Sequence, residues 1–149
     1  PALQAVPAGG LAAAVERAGA LCKEAGAKRA LPLPVSAPFH TELMRPAAER
    51  LAEQITATAF SSPAVPVVHN VTATTESNPE KIKALMIEQI YSPVRWVDCV
   101  NTMVGRGITL TLECGPGKVL SGLNKRINSE LNTLSVEKPD ELVSALAGV

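Results

Sequence analysis

The chain has 149 residues, enough for one domain with a sizeable core. Hydrophobic residues make up 46% and charged residues 19%, which excludes an intrinsically disordered chain. Lys plus Arg equals Asp plus Glu at 14 each, and aromatics are 3%, so no general attraction for nucleic acid or anionic lipid and no set of base-stacking platforms is expected.

The cysteines, Cys22, Cys99 and Cys114, are odd in number and form no CxxC pair. They read as reduced thiols of a cytoplasmic protein with no metal site. No uninterrupted apolar run approaches the ~20 residues of a membrane span. The start, PALQAVPAGG, lacks the pattern of a secretion signal and reads as a loop. Without an initial Met it suggests a processed or cut chain.

In chain order, Leu11, Val15, Ala18, Cys22 and Ala25 recur at helical spacing, and Gly26 stops the helix. KRALPLPV (28 to 35) reads as an edge strand or extended crossover, because Pro32 and Pro34 cannot donate to a ladder. After His40, the stripe Leu43, Ala47, Leu51 and Ile55 predicts a helix beginning around 42 to 46, where Pro46 fits the first turn. AVPVVHN (64 to 70) is a β-branched run of the buried-strand kind. Asn78 and Pro79 predict the capped start of a helix through about Ile90. Pro93 opens a helix over 94 to 104, and ITLTLE follows as a strand with Ile108, Leu110 and Leu112 inward. A GPG turn leads into a stripe of Val119, Leu120, Leu123 and Ile127. TLSV is a weak last strand, and Pro139 opens a short final helix. Helices alternating with short apolar strands indicate an α/β sheet with right-handed crossovers.

His40 stands between a predicted strand and a helix, at the side of an α/β sheet where ligands collect. Its imidazole is either a general base, suited to neutral pH, or a loop residue satisfied locally. Gln89 lies two turns after Ile82, on the apolar face of its helix. Its amide either pairs with backbone or snorkels, or Gln89, through side chain or carbonyl, fixes the ring of a nearby histidine. ECGPGKVLSGLNKRI (113 to 127) resembles a phosphate loop but fails it, since Val119 follows Lys118 where Ser or Thr is required. That leaves a tight strand-to-helix turn or a set of free N–H groups at a helix start. Lys118, Lys125 and Arg126 form a small basic cluster, either a solvated face or a dock for an acidic partner. His69 reads as structural, and Glu42, Glu49 and Glu53 occupy solvent-facing helix positions. No serine stands in a G-x-S-x-G frame, so a base and an orienter are present without a nucleophile.

The segments AVERAGALCKEAGAKRALPLPVSAPFHTELMRPAAERL, VPVVHNVTA, QIYSPVRWVDCV and ECGPGKVLSGLNKRI closely resemble the malonyl-CoA:acyl carrier protein transacylases of bacterial fatty-acid synthesis. The resemblance runs from about residue 12 to about residue 128. It implies the C-terminal half of an α/β-hydrolase-like acyltransferase fold. Residues 1–34 would be the remnant of an inserted ferredoxin-like small subdomain, and 35–149 the C-terminal part of the large subdomain.

The resemblance further implies that His40 is the general base for a serine carried in the other half, and that Gln89 supports it, largely through its backbone carbonyl. It implies that Phe39 narrows the acyl pocket toward malonyl, and that Lys125 and Arg126 are candidates for docking acyl carrier protein. The implied substrates are malonyl-CoA and phosphopantetheinylated acyl carrier protein, with no bound cofactor or metal. The family's carboxylate-gripping arginine has no counterpart here, and Arg29, Arg45 and Arg95 are not assigned to it. The chain alone is therefore expected to be inactive, completed by the missing half or self-associating through open strand edges. A non-catalytic fragment that binds acyl carrier protein is the alternative.

Overall fold

The computed structural model describes residues 9–147. The expectation for the opening decapeptide falls mostly on residues 1–8, outside them. The described chain divides into two compact units, 9–95 and 96–147.

The first unit holds α1 (Ala12–Glu24), a 3₁₀ turn (Glu42–Met44), α2 (Arg45–Ala57) and α3 (Pro79–Glu88). The first helix forms as predicted, but none of its residues is buried, and Leu11 and Leu21 are exposed. Helix α2 packs on α3, with Ala48 and Ile55 of the one and Ile82 of the other buried; Ala73 is buried as well. Leu43 and Leu51 of the predicted stripe are instead exposed. Ile55 is buried as expected, and the other buried position of α2 is Ala48, next to the predicted Ala47. The cap of α3 is as expected: Asn78 Oδ1 accepts from the N–H groups of Glu80 (3.0 Å) and Lys81 (3.2 Å).

Of the two runs read as strand-like in this unit, 28–35 takes the non-strand alternative and 64–70 does not become a strand. Residues 28–35 are irregular, and 64–70 contributes one isolated antiparallel bridge, Val68 to Thr75. A β-branched run becomes a strand only when a neighbouring edge takes up its N–H and C=O groups. Among the described residues no such edge lies beside it, and Val65 and Val67 are exposed.

The second unit holds α4 (Trp96–Gly105), β1 (Leu110–Cys114), α5 (Val119–Ile127), β2 (Asn132–Val136) and α6 (Pro139–Leu146). The two strands pair in parallel, with Leu112 opposite Leu134, and α5 and α6 pack on β2. Val100 is fully enclosed, with Cys99, Leu131 and Ala145 also buried. The inward face of β1 is only partly the expected one: Leu110 is half-buried, but Ile108 and Leu112 are exposed, while Thr111 and Glu113 are half-buried. The reason is polar bonding. Thr111 Oγ1 lies 2.8 Å from Thr133 Oγ1, and Glu113 reaches the start of α5. Likewise Val119 and Leu120 are exposed, and the buried centre of α5 is Asn124. Its side chain accepts from Trp96 Nε1 (3.1 Å) and donates to Thr133 Oγ1 (3.3 Å), so an amide stands where apolar periodicity predicts a leucine stripe.

Candidate active site

The end of α3 and the turn before α2 meet at His40. This residue adopts φ +60°, a left-handed conformation that costs a non-glycine residue on the order of 1–2 kcal/mol. Two hydrogen bonds hold it there. Its backbone N–H donates to the carbonyl of Ile90 (3.2 Å), and its ring Nδ1 lies 2.8 Å from the carbonyl oxygen of Gln89. Thr41 Oγ1 donates to the Pro38 carbonyl (2.7 Å) and tightens the same turn. The acceptors on Gln89 and Ile90 follow the last turn of α3, where a helix leaves its carbonyls unpaired and carries partial negative charge. One residue thus satisfies two of them, through its backbone N–H and its ring.

A carbonyl oxygen can only accept, so Nδ1 carries the hydrogen in this bond. In the neutral ring the lone pair then belongs to Nε2, and the exposed side chain offers that atom to solvent or substrate. The geometry can take up a proton at Nε2 and spread the resulting charge toward the Gln89 carbonyl.

Of the two routes by which Gln89 could reach a histidine, the backbone route is the one seen. Its side chain turns away, and Oε1 accepts a long bond from Asn70 Nδ2 (3.4 Å). The Asn70 carbonyl in turn accepts from the N–H of Arg95 (3.0 Å). Sequence reasoning passed over Asn70, whose signal was its place at the close of the β-branched run. Phe39 precedes His40 with its side chain about half exposed. His69 frames a tight turn, with its N–H donating to the Thr74 carbonyl (3.0 Å) and its own carbonyl accepting from Ala73 (2.8 Å).

A second group overlooked in the sequence flanks the histidine. The guanidinium of Arg45 makes two bonds to Glu42, Nε to Oε2 (2.8 Å) and Nη2 to Oε1 (2.9 Å), and its Cζ lies 4.1 Å from the centre of the Tyr91 ring. The Glu42 carboxylate is the main influence raising the Arg45 pKa above its ordinary value. Glu49 and Glu53 are exposed, as expected of solvent-facing positions.

The apparent phosphate loop resolves as a self-contained anion site. Gly115 (φ +132°) and Gly117 (φ +89°) bend the chain from β1 into α5. The Glu113 carboxylate returns to the helix start. It accepts from the N–H groups of Leu120 (2.9 Å) and Ser121 (2.8 Å) and from the Ser121 hydroxyl (2.5 Å). These donors, the hydroxyl foremost, hold the Glu113 carboxyl below its ordinary pKa. Those N–H groups are thus taken by an internal carboxylate in place of a phosphate, and the Ser121 hydroxyl is committed to it. Lys118 and Lys125 line an open groove of about 530 Å³ with Ser121, Glu130 and Thr133. Arg126, in the same last turn of α5, is exposed outside that lining.

Cys99 is buried, and Cys22 and Cys114 are exposed free thiols. Among the described residues, no group of three His, Cys, Asp or Glu side chains is placed to hold a metal, and no helix is long and apolar enough to cross a membrane.

No family model matches the chain. The malonyl CoA-acyl carrier protein transacylase of Escherichia coli K12 is 49% identical over 133 residues, 89% of this chain and 43% of that protein. The chain belongs to the malonyl-CoA:acyl carrier protein transacylase family. It corresponds to the C-terminal half of those enzymes and spans about 43% of their length. The crystal structure of an acyl carrier protein S-malonyltransferase from Vibrio cholerae superposes with a TM-score of 0.85 at 52% identity, covering 89% of this chain and 43% of that one. A type II PKS acyl-carrier protein complexed with its malonyl-transacylase gives a TM-score of 0.89 at 46% identity, with coverage of 93% and 45%. The α/β architecture of this transacylase segment is therefore that of the matched part of solved malonyltransferases.

Proposed function

We propose that this chain carries the general-base half of a malonyl-CoA:acyl carrier protein transacylase site. His40 Nε2 is the base, and the Gln89 backbone carbonyl fixes the ring. The single supporting observation is the 2.8 Å contact from Nδ1 to that carbonyl, which leaves the opposite nitrogen free to accept a proton. In the first half-reaction, Nε2 removes the proton of a serine hydroxyl as its oxygen attacks the malonyl thioester. The same proton then passes to the departing coenzyme A thiolate. In the second, Nε2 takes the proton of the phosphopantetheine thiol of acyl carrier protein as its sulfur attacks the seryl ester. The serine oxygen recovers the proton as the ester breaks. No serine of this chain stands in the G-x-S-x-G frame of such a nucleophile, so the chain by itself does not turn over.

Phe39, next to the base, borders the acyl group and limits room at its α-carbon. Lys125 and Arg126, cations at the end of α5, meet the acidic surface of acyl carrier protein. The exposed Leu43, Leu51, Val65, Val67 and Leu112 suit a segment that packs against the remainder of a transacylase. The test is an enzyme assembled by joining the upstream part of the Escherichia coli relative to this chain. Malonyl transfer is expected in the joined enzyme and absent from the chain alone. His40→Ala lowers kcat about 10²–10⁴-fold, the span of general-base contributions. Transfer by the isolated chain that His40→Ala abolishes contradicts the proposal of an inactive half.

A further inference from the structure

We propose that Arg45 is a positioning residue for His40: its guanidinium ties the turn bearing the imidazole to the segment bearing the acceptor carbonyl. The inference builds on the reading of His40 as the base.

The base and its orienting carbonyl lie on separate stretches of chain, 38–45 and 89–91. His40 occupies a strained backbone conformation that only surrounding contacts can maintain. Two direct bonds join the stretches, from the backbone and the ring of His40. The first is long at 3.2 Å, and the second is the interaction that must keep its alignment while a proton arrives at Nε2. Arg45 supplies a third tie from a different direction. It grips Glu42, two residues beyond His40, through both carboxylate oxygens, and lies over the ring of Tyr91, two residues beyond Gln89.

The placement runs against local preference. Arg45 opens α2, where the positive end of the helix disfavours a cation. Glu42 and the face of Tyr91 offset that cost, since an anion and a ring quadrupole both attract the guanidinium. Arginine also suits the place better than lysine does, because one planar fork serves a carboxylate at its edge and an aromatic ring at its face.

The joined enzyme provides the test. Arg45→Leu should lower kcat about tenfold, the scale of a small misalignment of a catalytic group, with the KM for malonyl-CoA within about twofold. Tyr91→Leu should have the same effect, and the double variant should lose no more than either single one. Tyr91→Phe keeps the ring and should retain full rate, while Arg45→Lys keeps a cation over it and should recover most of the rate. In proton NMR, the downfield Nδ1–H signal of His40 should persist in Arg45→Lys and broaden through exchange in Arg45→Leu. If His40→Ala abolishes transfer while Arg45→Leu and Tyr91→Leu keep full kcat, the positioning role is refuted and the base remains. If His40→Ala leaves the rate intact, the base reading fails and takes this inference with it. Should the leucine variants not fold, equal loss of rate in Arg45→Lys and Tyr91→Phe, with a normal Nδ1–H signal, refutes the role as well.

Discussion

Replacing Gln89 by alanine should barely slow the joined enzyme, although the Gln89 carbonyl bonds the His40 ring. The structure separates two contributions of this residue. Its side chain makes a 3.4 Å bond to Asn70, at the weak end of hydrogen-bond geometry, and losing it costs about 0.5 kcal/mol or less. At about 1.4 kcal/mol per factor of ten, that corresponds to a fall in kcat of roughly twofold. Its carbonyl makes the 2.8 Å bond to Nδ1, which becomes a bond to a charged group when Nε2 is protonated, worth about 1.5–3 kcal/mol. Replacing the Gln89–Ile90 amide by an ester weakens that acceptor without touching either side chain. It also removes the Ile90 N–H, whose bond to the Ile87 carbonyl is a long 3.3 Å. If about half the bond is lost, kcat falls about three- to tenfold. The assay is release of coenzyme A thiol from malonyl-CoA in the joined enzyme, at saturating acyl carrier protein. A hundredfold loss in Gln89→Ala with a normal rate in the ester variant would show that the side chain, not the carbonyl, orients the ring.

Three further outcomes follow from other parts of the molecule. Asn124→Leu removes the acceptor of Trp96 Nε1 from a nearly closed interior, while Thr133 keeps its bond to Thr111; denaturant unfolding should show a loss of about 1–3 kcal/mol. The Glu113 carboxyl has its folded-state pKa below the ordinary 4.5, so the stability it contributes is complete above that pH and lost as pH falls below it. Glu113→Gln should therefore flatten the acid side of the stability profile and lower stability at neutral pH, as read by circular dichroism. Lys125→Glu and Arg126→Glu should weaken binding of acyl carrier protein by the joined enzyme, and the unmodified affinity should fall with added salt; equal affinities in 0.05 M and 0.5 M salt refute a charge-led dock.

Much of the helical framework was legible in local sequence. Asn78–Pro79 and Pro139 marked helix starts, and glycines marked the turns around β1, because caps and left-handed positions are local constraints. Both strands, 110–114 and 132–136, were also legible, but periodicity did not settle which strands pair. What failed was whatever depends on a neighbour. The run 64–70 has strand composition and only one bridge, and Leu43, Leu51 and Leu112 have core composition without cover. Asn124 was invisible because a buried amide breaks apolar periodicity. At the site, the pairing of His40 with Gln89 came from the family resemblance together with helical spacing. The Asn70 bond and the Arg45–Tyr91 stack join residues far apart in sequence and left no local mark.

The tautomer of His40 is the most direct measure of the account. Nitrogen NMR of the ring, at a pH where the imidazole is neutral, distinguishes a protonated from a lone-pair nitrogen at each position. The Gln89 carbonyl requires the proton on Nδ1 and the lone pair on Nε2, the reverse of the form a free imidazole side chain prefers. A neutral ring protonated at Nε2 would leave that carbonyl without its donor and remove the base from the site.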